Sequence, residues 1–230
     1  MEFINAITHK LTSLDIAEIL VLIACLIVSI VGHEIAHGWV AYKFGDSTAK
    51  NLNRLSPNPL RHIDIFGTII VPAAMYLAGG VVLGWAKPVP VRMQTVFNNG
   101  KYVGAIAVAL AGIAYNLALA AAAFIAIKAL IYSGSLSDSQ SSQTLINSLF
   151  MLLKLNILLA LFNLYPLPQL DGYKALAYVL DWAGASALTA KMMELERYGF
   201  IILIIIVMSP FSSSIFSPIY ATIRYVSGLI

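Results

Sequence analysis

The sequence predicts an all-α polytopic membrane protein: one integral-membrane domain over 1–230, with about four spanning helices, a re-entrant hairpin with a short strand region over 66–91, and an interfacial helix over 173–183. Three observations lead there. The chain is 60% hydrophobic and only 11% charged, against about 25% charged residues in a soluble domain. Several apolar runs approach the ~20 residues that carry a helix across a hydrocarbon core. Lys and Arg gather in particular loops, the pattern that orients membrane segments.

The polar start "MEFINAITHKLTSLD" lacks the basic opening and small-residue cleavage site of a signal peptide, so the first apolar run is expected to stay in the mature protein. That run, about 16–42, is the first span. The segment 66–91, "FGTIIVPAAMYLAGGVVLGWAKPVPV", has the apolar length for a span but is interrupted by Pro72, Gly79-Gly80 and the Val/Pro alternation of "KPVPV". That alternation reads as extended chain rather than helix. Further spans are expected over 103–132 and 144–165, separated by the Ser-rich 133–143, which reads as a flexible loop. "DGYKALAYVLDWAGA" is too short and too charged to cross, and fits an amphipathic helix at the interface. A last apolar run from about 198 meets Pro210 and Pro218, so its far half is expected to be broken, kinked or interfacial.

Charge decides how 66–91 runs. Loop 43–65 carries Lys43, Lys50, Arg54 and Arg61, and loop 86–102 carries Lys87, Arg92 and Lys101. Loop 133–143 carries neither Lys nor Arg. If 66–85 crossed, the two basic loops would face opposite sides. If 66–91 enters and returns, both are cytoplasmic and 133–143 is outside, as the positive-inside rule asks. The N-terminus is then outside, and Lys128 and Lys154 lie toward the outer ends of their helices, where long side chains snorkel. The net charge of +3 is small and spread along loops, which argues against a nucleic-acid partner. The single cysteine, Cys25, makes no internal disulfide and no Cys-rich metal site.

The chemistry begins at "IVGHEIAHGWV", residues 30–40. His33 and His37 are four apart, which puts both imidazoles on one helix face, one turn apart, as two ligands of a Zn²⁺. Glu34 is placed to reach water at the metal rather than the metal itself, the general-base position of H-E-x-x-H. Ionisable groups inside a membrane segment are costly and point to function. A catalytic zinc needs a third protein ligand. His9, His62, Asp64, Asp171 and Asp181 are the candidates. The re-entrant topology puts His9 on the wrong side and Asp171 near the depth of the two histidines. His62 otherwise reads as a loop-surface histidine, and Asp64 as a cap for a helix starting at Ile65.

Together, "GHEIAHGWVAYKFGD" and "FNLYPLPQLDG" resemble the site-2 protease family of intramembrane zinc metalloproteases, over about residues 30–180. "GWAKPVPV" is similar to a subgroup with neither PDZ nor CBS domain. The resemblance implies that His33, His37 and Asp171 hold one zinc per chain, that Glu34 is the base, and that Asn163 sits beside the reacting carbonyl. It departs from the family pattern at Ile113 and Gln169, where proline is usual, and at Tyr173, where a second glycine often follows L-D-G.

The expected activity is hydrolysis of peptide bonds in transmembrane segments of membrane-protein substrates. The partners are then such a protein or peptide and the lipid bilayer. Trp85, Lys87, Val89 and Val91 are candidates for binding an unwound substrate by strand addition. Asn116 is a candidate to tune the metal ligands or to bond between helices. The expected location is the cytoplasmic membrane of a bacterium or archaeon, as a multi-pass protein with its site toward the cytoplasm. Two alternatives share the metal but not the substrate: a zinc-dependent membrane hydrolase of lipid amides, and a non-catalytic metal-binding protein or transporter. The sequence leaves the oligomeric state open.

Overall fold

A computed structural model describes residues 16–73, 84–134 and 139–230. His9, the middle of the 66–91 segment and residues 135–138 lie outside them. Among the described residues, three helices are long and apolar enough to cross a membrane: α1 (Ile16–Lys43), α3 (Met93–Tyr132) and α4 (Gln140–Leu164). Between α1 and α3 come the one-turn α2 (Thr48–Asn51), a tight turn at Pro59–His62 and a wide helical turn at Ile65–Ile70. After α4 follow α5 (Asp171–Trp182), α6 (Ser186–Glu196), α7 (Gly199–Met208) and α8 (Ser212–Gly228). α7 and α8 are bent by 85° and make a fourth span only if counted together.

α3 is the hub, packing against α1, α4 and α5. Its contact with α4 is built from Ala120, Ala123 and Ile127 against Leu153 and Ile157, all buried. Small residues let the two backbones approach, which is how helices associate where lipid removes the hydrophobic drive. Outward-facing Leu20, Ile125 and Ile205 are more than half exposed, as lipid-facing residues should be.

Several boundaries differ from expectation. α3 starts ten residues before 103, and its first turns are set off by a break at Lys101, whose φ is 51°. α4 begins at Gln140, because the Ser139 side chain accepts the Ser142 N–H and caps it; part of the Ser-rich loop is therefore helix. The last run breaks at Ser209–Phe211, beside Pro210, whereas Pro218 sits inside α8. The Ser214 carbonyl that Pro218 cannot bond takes the Ser217 hydroxyl instead. α6 was not expected from the sequence.

The loops at one end of the bundle are tied together. Asp46 is buried and accepts the N–H and hydroxyl of Thr48 at 2.9 and 2.5 Å and the Arg92 N–H at 2.6 Å. Burial pushes its carboxyl up, but those bonds outweigh it and leave it below the ordinary carboxylate range. Arg54 donates to the Lys87 carbonyl. Both basic loops thus meet at the same end. The two flanks of 66–91 also meet: Trp85 N–H donates to the Gly67 carbonyl at 3.0 Å, and Lys87 N–H to the His62 carbonyl at 2.8 Å. No strand forms over 84–92, contrary to expectation. Pro88 and Pro90 have no N–H for a ladder, so this strap bonds to loops and side chains instead. His62 is buried, not on the loop surface, with Nε2 2.9 Å from the Ser56 carbonyl.

Candidate metal centre

His33 and His37 project from α1, and Asp171 is the first residue of α5. Asp171 arrives there because Pro166 and Pro168 end α4 and the chain turns sharply back. A Cβ on Gly172 would stand 2.1 Å from the Leu164 carbonyl oxygen, so only glycine lets α5 start against the last turn of α4. The turn passes through Gln169 at φ 81°, a conformation closed to the proline usual there in the resembled motif.

The ligand atoms form a nearly equilateral triangle. His33 Nε2 lies 3.1 Å from Asp171 Oδ2, His37 Nε2 lies 3.2 Å from the same oxygen, and the two nitrogens are 3.1 Å apart. Four ligands at about 2.05 Å around a tetrahedral zinc are about 3.3 Å apart. α3 supplies the floor: a Cβ on Gly112 would meet His33 Nε2 at 2.4 Å and His37 Nε2 at 2.5 Å.

Hydrogen bonds fix the proton positions. His37 Nδ1 is 2.7 Å from the Val108 carbonyl, which can only accept, so Nδ1 carries a proton. His33 Nδ1 is 2.6 Å from Asn116 Oδ1. That amide is oriented by its own donations, from Nδ2 to the Ser29 carbonyl and to Asn156 Oδ1. Asn156 is oriented in turn by donating to the Leu152 carbonyl and the Ser29 hydroxyl. Two Nε2 lone pairs and one carboxylate oxygen therefore converge, and Asp171 Oδ2 is buried with no hydrogen-bond donor. One proton cannot satisfy three acceptors, whereas a divalent cation can. The donor set fits zinc, and among the described residues it is the one His/Cys/Asp/Glu group so arranged.

The triad opens on a cavity of about 760 Å³ lined also by Glu34, Trp85, Val89, Val91 and Asn163. Glu34 Oε2 accepts the Val89 N–H at 2.9 Å. Asn163 donates back to the Leu159 carbonyl of its own helix at 2.9 Å. The Trp85 ring meets Phe200 of α7 edge-on, centroids 4.7 Å apart. Lys87 is not among the cavity walls.

Among the described residues, the other third-ligand candidates are engaged elsewhere. Asp64 caps the turn at Ile65 through the Gly67 N–H, and Asp181 accepts from the Tyr102 hydroxyl. Asn116 is fully buried against His33. Ser29, Asn156 and Arg54 were missed. Asn156 was findable as an amide in the middle of an apolar run; the Val108 carbonyl has no signature in a side-chain pattern.

The chain matches the family model described as Peptidase family M50 over residues 21–134 and 129–207. It is 37% identical over 198 residues to "Putative zinc metalloprotease YwhC" of Bacillus subtilis (strain 168), covering 86% of this chain and 84% of that protein. It is 26% identical over 191 residues to "Putative zinc metalloprotease Rip2" of Mycolicibacterium smegmatis (strain ATCC 700084 / mc(2)155), covering 83% of this chain and 68% of that protein. No solved structure matches the chain.

Proposed function

Because the chain belongs to peptidase family M50 and is a membrane zinc metalloprotease, we propose that it hydrolyses peptide bonds within transmembrane segments of membrane-protein substrates. The observation that carries this is depth. His33 lies ten residues before Lys43, the last residue of α1, or about 15 Å along the axis at the helical rise. A site that far from the end of an apolar helix favours a peptide bond in the hydrocarbon layer over one in a soluble loop.

In this reading His33, His37 and Asp171 hold one zinc, which when bound supplies Lewis acidity toward water and the scissile carbonyl. Glu34 takes the proton of the attacking water on Oε1, the oxygen Val89 leaves free, and delivers it to the departing amine. Asn163, on the cavity wall, donates to the carbonyl oxygen as charge develops, exchanging its bond to Leu159. The meeting of Gly67 with Trp85 supports re-entry of 66–91, and the shared position of the basic loops supports a cytoplasmic-side site.

Trp85, Val89 and Val91 border the space an unwound substrate would occupy. Strand addition there is restricted. Over 85–90, the N–H groups of Trp85, Lys87 and Val89 bond within the chain and both prolines have none, which leaves Ala86.

The test is cleavage of a model transmembrane peptide by the purified protein in liposomes. A cut mapped by mass inside the apolar segment, abolished by chelator and by Glu34→Gln with zinc content unchanged, is the expected result. Cleavage confined to soluble peptides would refute the substrate class, and an active Glu34→Gln would refute the base. Cleavage of a lipid amide in its place would favour the lipid-hydrolase alternative.

A further inference from the structure

Arg54 is an expensive residue without an evident counter-ion. It is 8% exposed, and among the described residues no carboxylate pairs with it. A buried guanidinium carries a large desolvation cost that is usually offset by an acid. Here Nη2 is spent on two backbone carbonyls of the strap, Lys87 O at 2.7 Å and Pro88 O at 3.3 Å. The next residue is Val89, whose N–H lies on Glu34 Oε2 at 2.9 Å.

The strap is suited to fixing that one N–H. Pro88 and Pro90 flank Val89 and lock φ on either side. The Trp85 and Lys87 N–H groups are held by the Gly67 and His62 carbonyls. The Val89 side chain is buried, and a Cβ on Gly38, one turn past Glu34, would touch it at 2.7 Å. An N–H held this way removes one oxygen of the Glu34 carboxylate from rotation. The other oxygen has no hydrogen-bond partner among the described residues and remains available to water. A free glutamate in a roomy cavity would spread over several rotamers.

We infer that Arg54 is a positioning residue for the general base, acting through the Lys87 and Pro88 carbonyls and the Val89 N–H to fix Glu34. The inference rests on the reading of Glu34 as the base. The hydrogen bonds of the strap then serve catalysis and not loop stability alone, which predicts a defect in turnover without a defect in substrate binding or metal content.

The experiment compares Val89→Pro, which deletes the N–H, with Val89→Ala, which keeps it, and Arg54→Gln with Arg54→Lys, which still donates to carbonyls. The readouts are zinc per chain and separate kcat and KM for the model transmembrane peptide. Val89→Pro and Arg54→Gln should lose kcat by about 10–100-fold, the scale of a displaced catalytic group, with KM and zinc unchanged. Arg54→Lys should retain most of it, and Val89→Ala, which keeps the N–H but trims a wall of the cavity, should lose less kcat than Val89→Pro. Turnover of Val89→Pro equal to or above wild type overturns the inference, the latter by marking the contact as a block. Loss of zinc in step with activity also overturns it, by reducing Arg54 to structural support. If Val89→Pro does not fold, the Arg54 pair decides: a slow Gln and a fast Lys variant support the inference, and equal rates overturn it. An active Glu34→Gln control would instead show that the base assignment itself had failed.

Discussion

His33 Nδ1 stands 2.6 Å from Asn116 Oδ1, and that bond is one end of a relay that runs through Asn156 to the backbone of α4. It joins the imidazole of one helix to the carbonyl of another through two buried amides. Each amide can face only one way, because each donates to a main-chain carbonyl. Such contacts behind a ligand typically change metal affinity about 10–100-fold when removed. Asn156→Leu should weaken zinc binding by that factor in competition with a chromophoric chelator, with helix content by circular dichroism retained. Unchanged affinity would mean that Asn116 holds its orientation alone.

Gly112 predicts a steric result. An added methyl would fall 2.4–2.5 Å from both ligand nitrogens, well inside contact distance. Gly112→Ala should lose most bound zinc and with it cleavage. Gly228→Ala, where an added Cβ meets nothing within 4 Å, should behave as wild type.

Removing the third ligand should separate metal from fold. Asp171→Ala deletes the one oxygen on which both histidines converge. The purified variant should carry little zinc and no activity. Full zinc content would send the ligand search beyond the described residues, since His62, Asp64 and Asp181 are engaged elsewhere.

Asp46 gives a pH prediction. Its folded carboxyl lies below its ordinary value, so its contribution is complete above about pH 4, where the unfolded carboxyl is ionised. The contribution is lost as pH falls through the depressed folded value. Asp46→Asn should cost about 1–3 kcal/mol at neutral pH, the worth of hydrogen bonds to a charged group. The gap in Tm between the two proteins should narrow in acid. A gap independent of pH would show that the carboxylate charge plays no part.

Much of the site was legible in sequence because helix periodicity is a strong local rule. His33 and His37 share a face by spacing alone, and the prolines before Asp171 mark where α4 must stop. The distribution of Lys and Arg carried the long-range part, the expectation that Asp171 comes near the two histidines, and the three side chains do meet. What stayed hidden has a physical pattern. Val108 acts through its carbonyl and Val89 through its N–H, and every residue has those groups. Arg54 reads as one more loop cation until its burial is seen. The Lys101 break and the α4 start at Gln140 depend on local caps and turns that overrule hydropathy. The short strand failed for the reason that suggested it, since the prolines that favour an extended chain cannot donate to a ladder.

The Ser29–Asn116–Asn156 cluster has a further consequence for the order of assembly. All three side chains are fully buried, and they link α1, α3 and α4 without involving the metal. In lipid, unmatched amides have no water to turn to, so sliding any of these helices by a turn would strand them. The register of the three helices is therefore keyed by contacts that do not need the ion. Small zinc domains that are unfolded without metal take their folding energy from the ion; here buried amide and hydroxyl contacts contribute to the fold independently of it. Metallation can come last, after membrane insertion, and its loss should silence the protein while leaving its architecture standing.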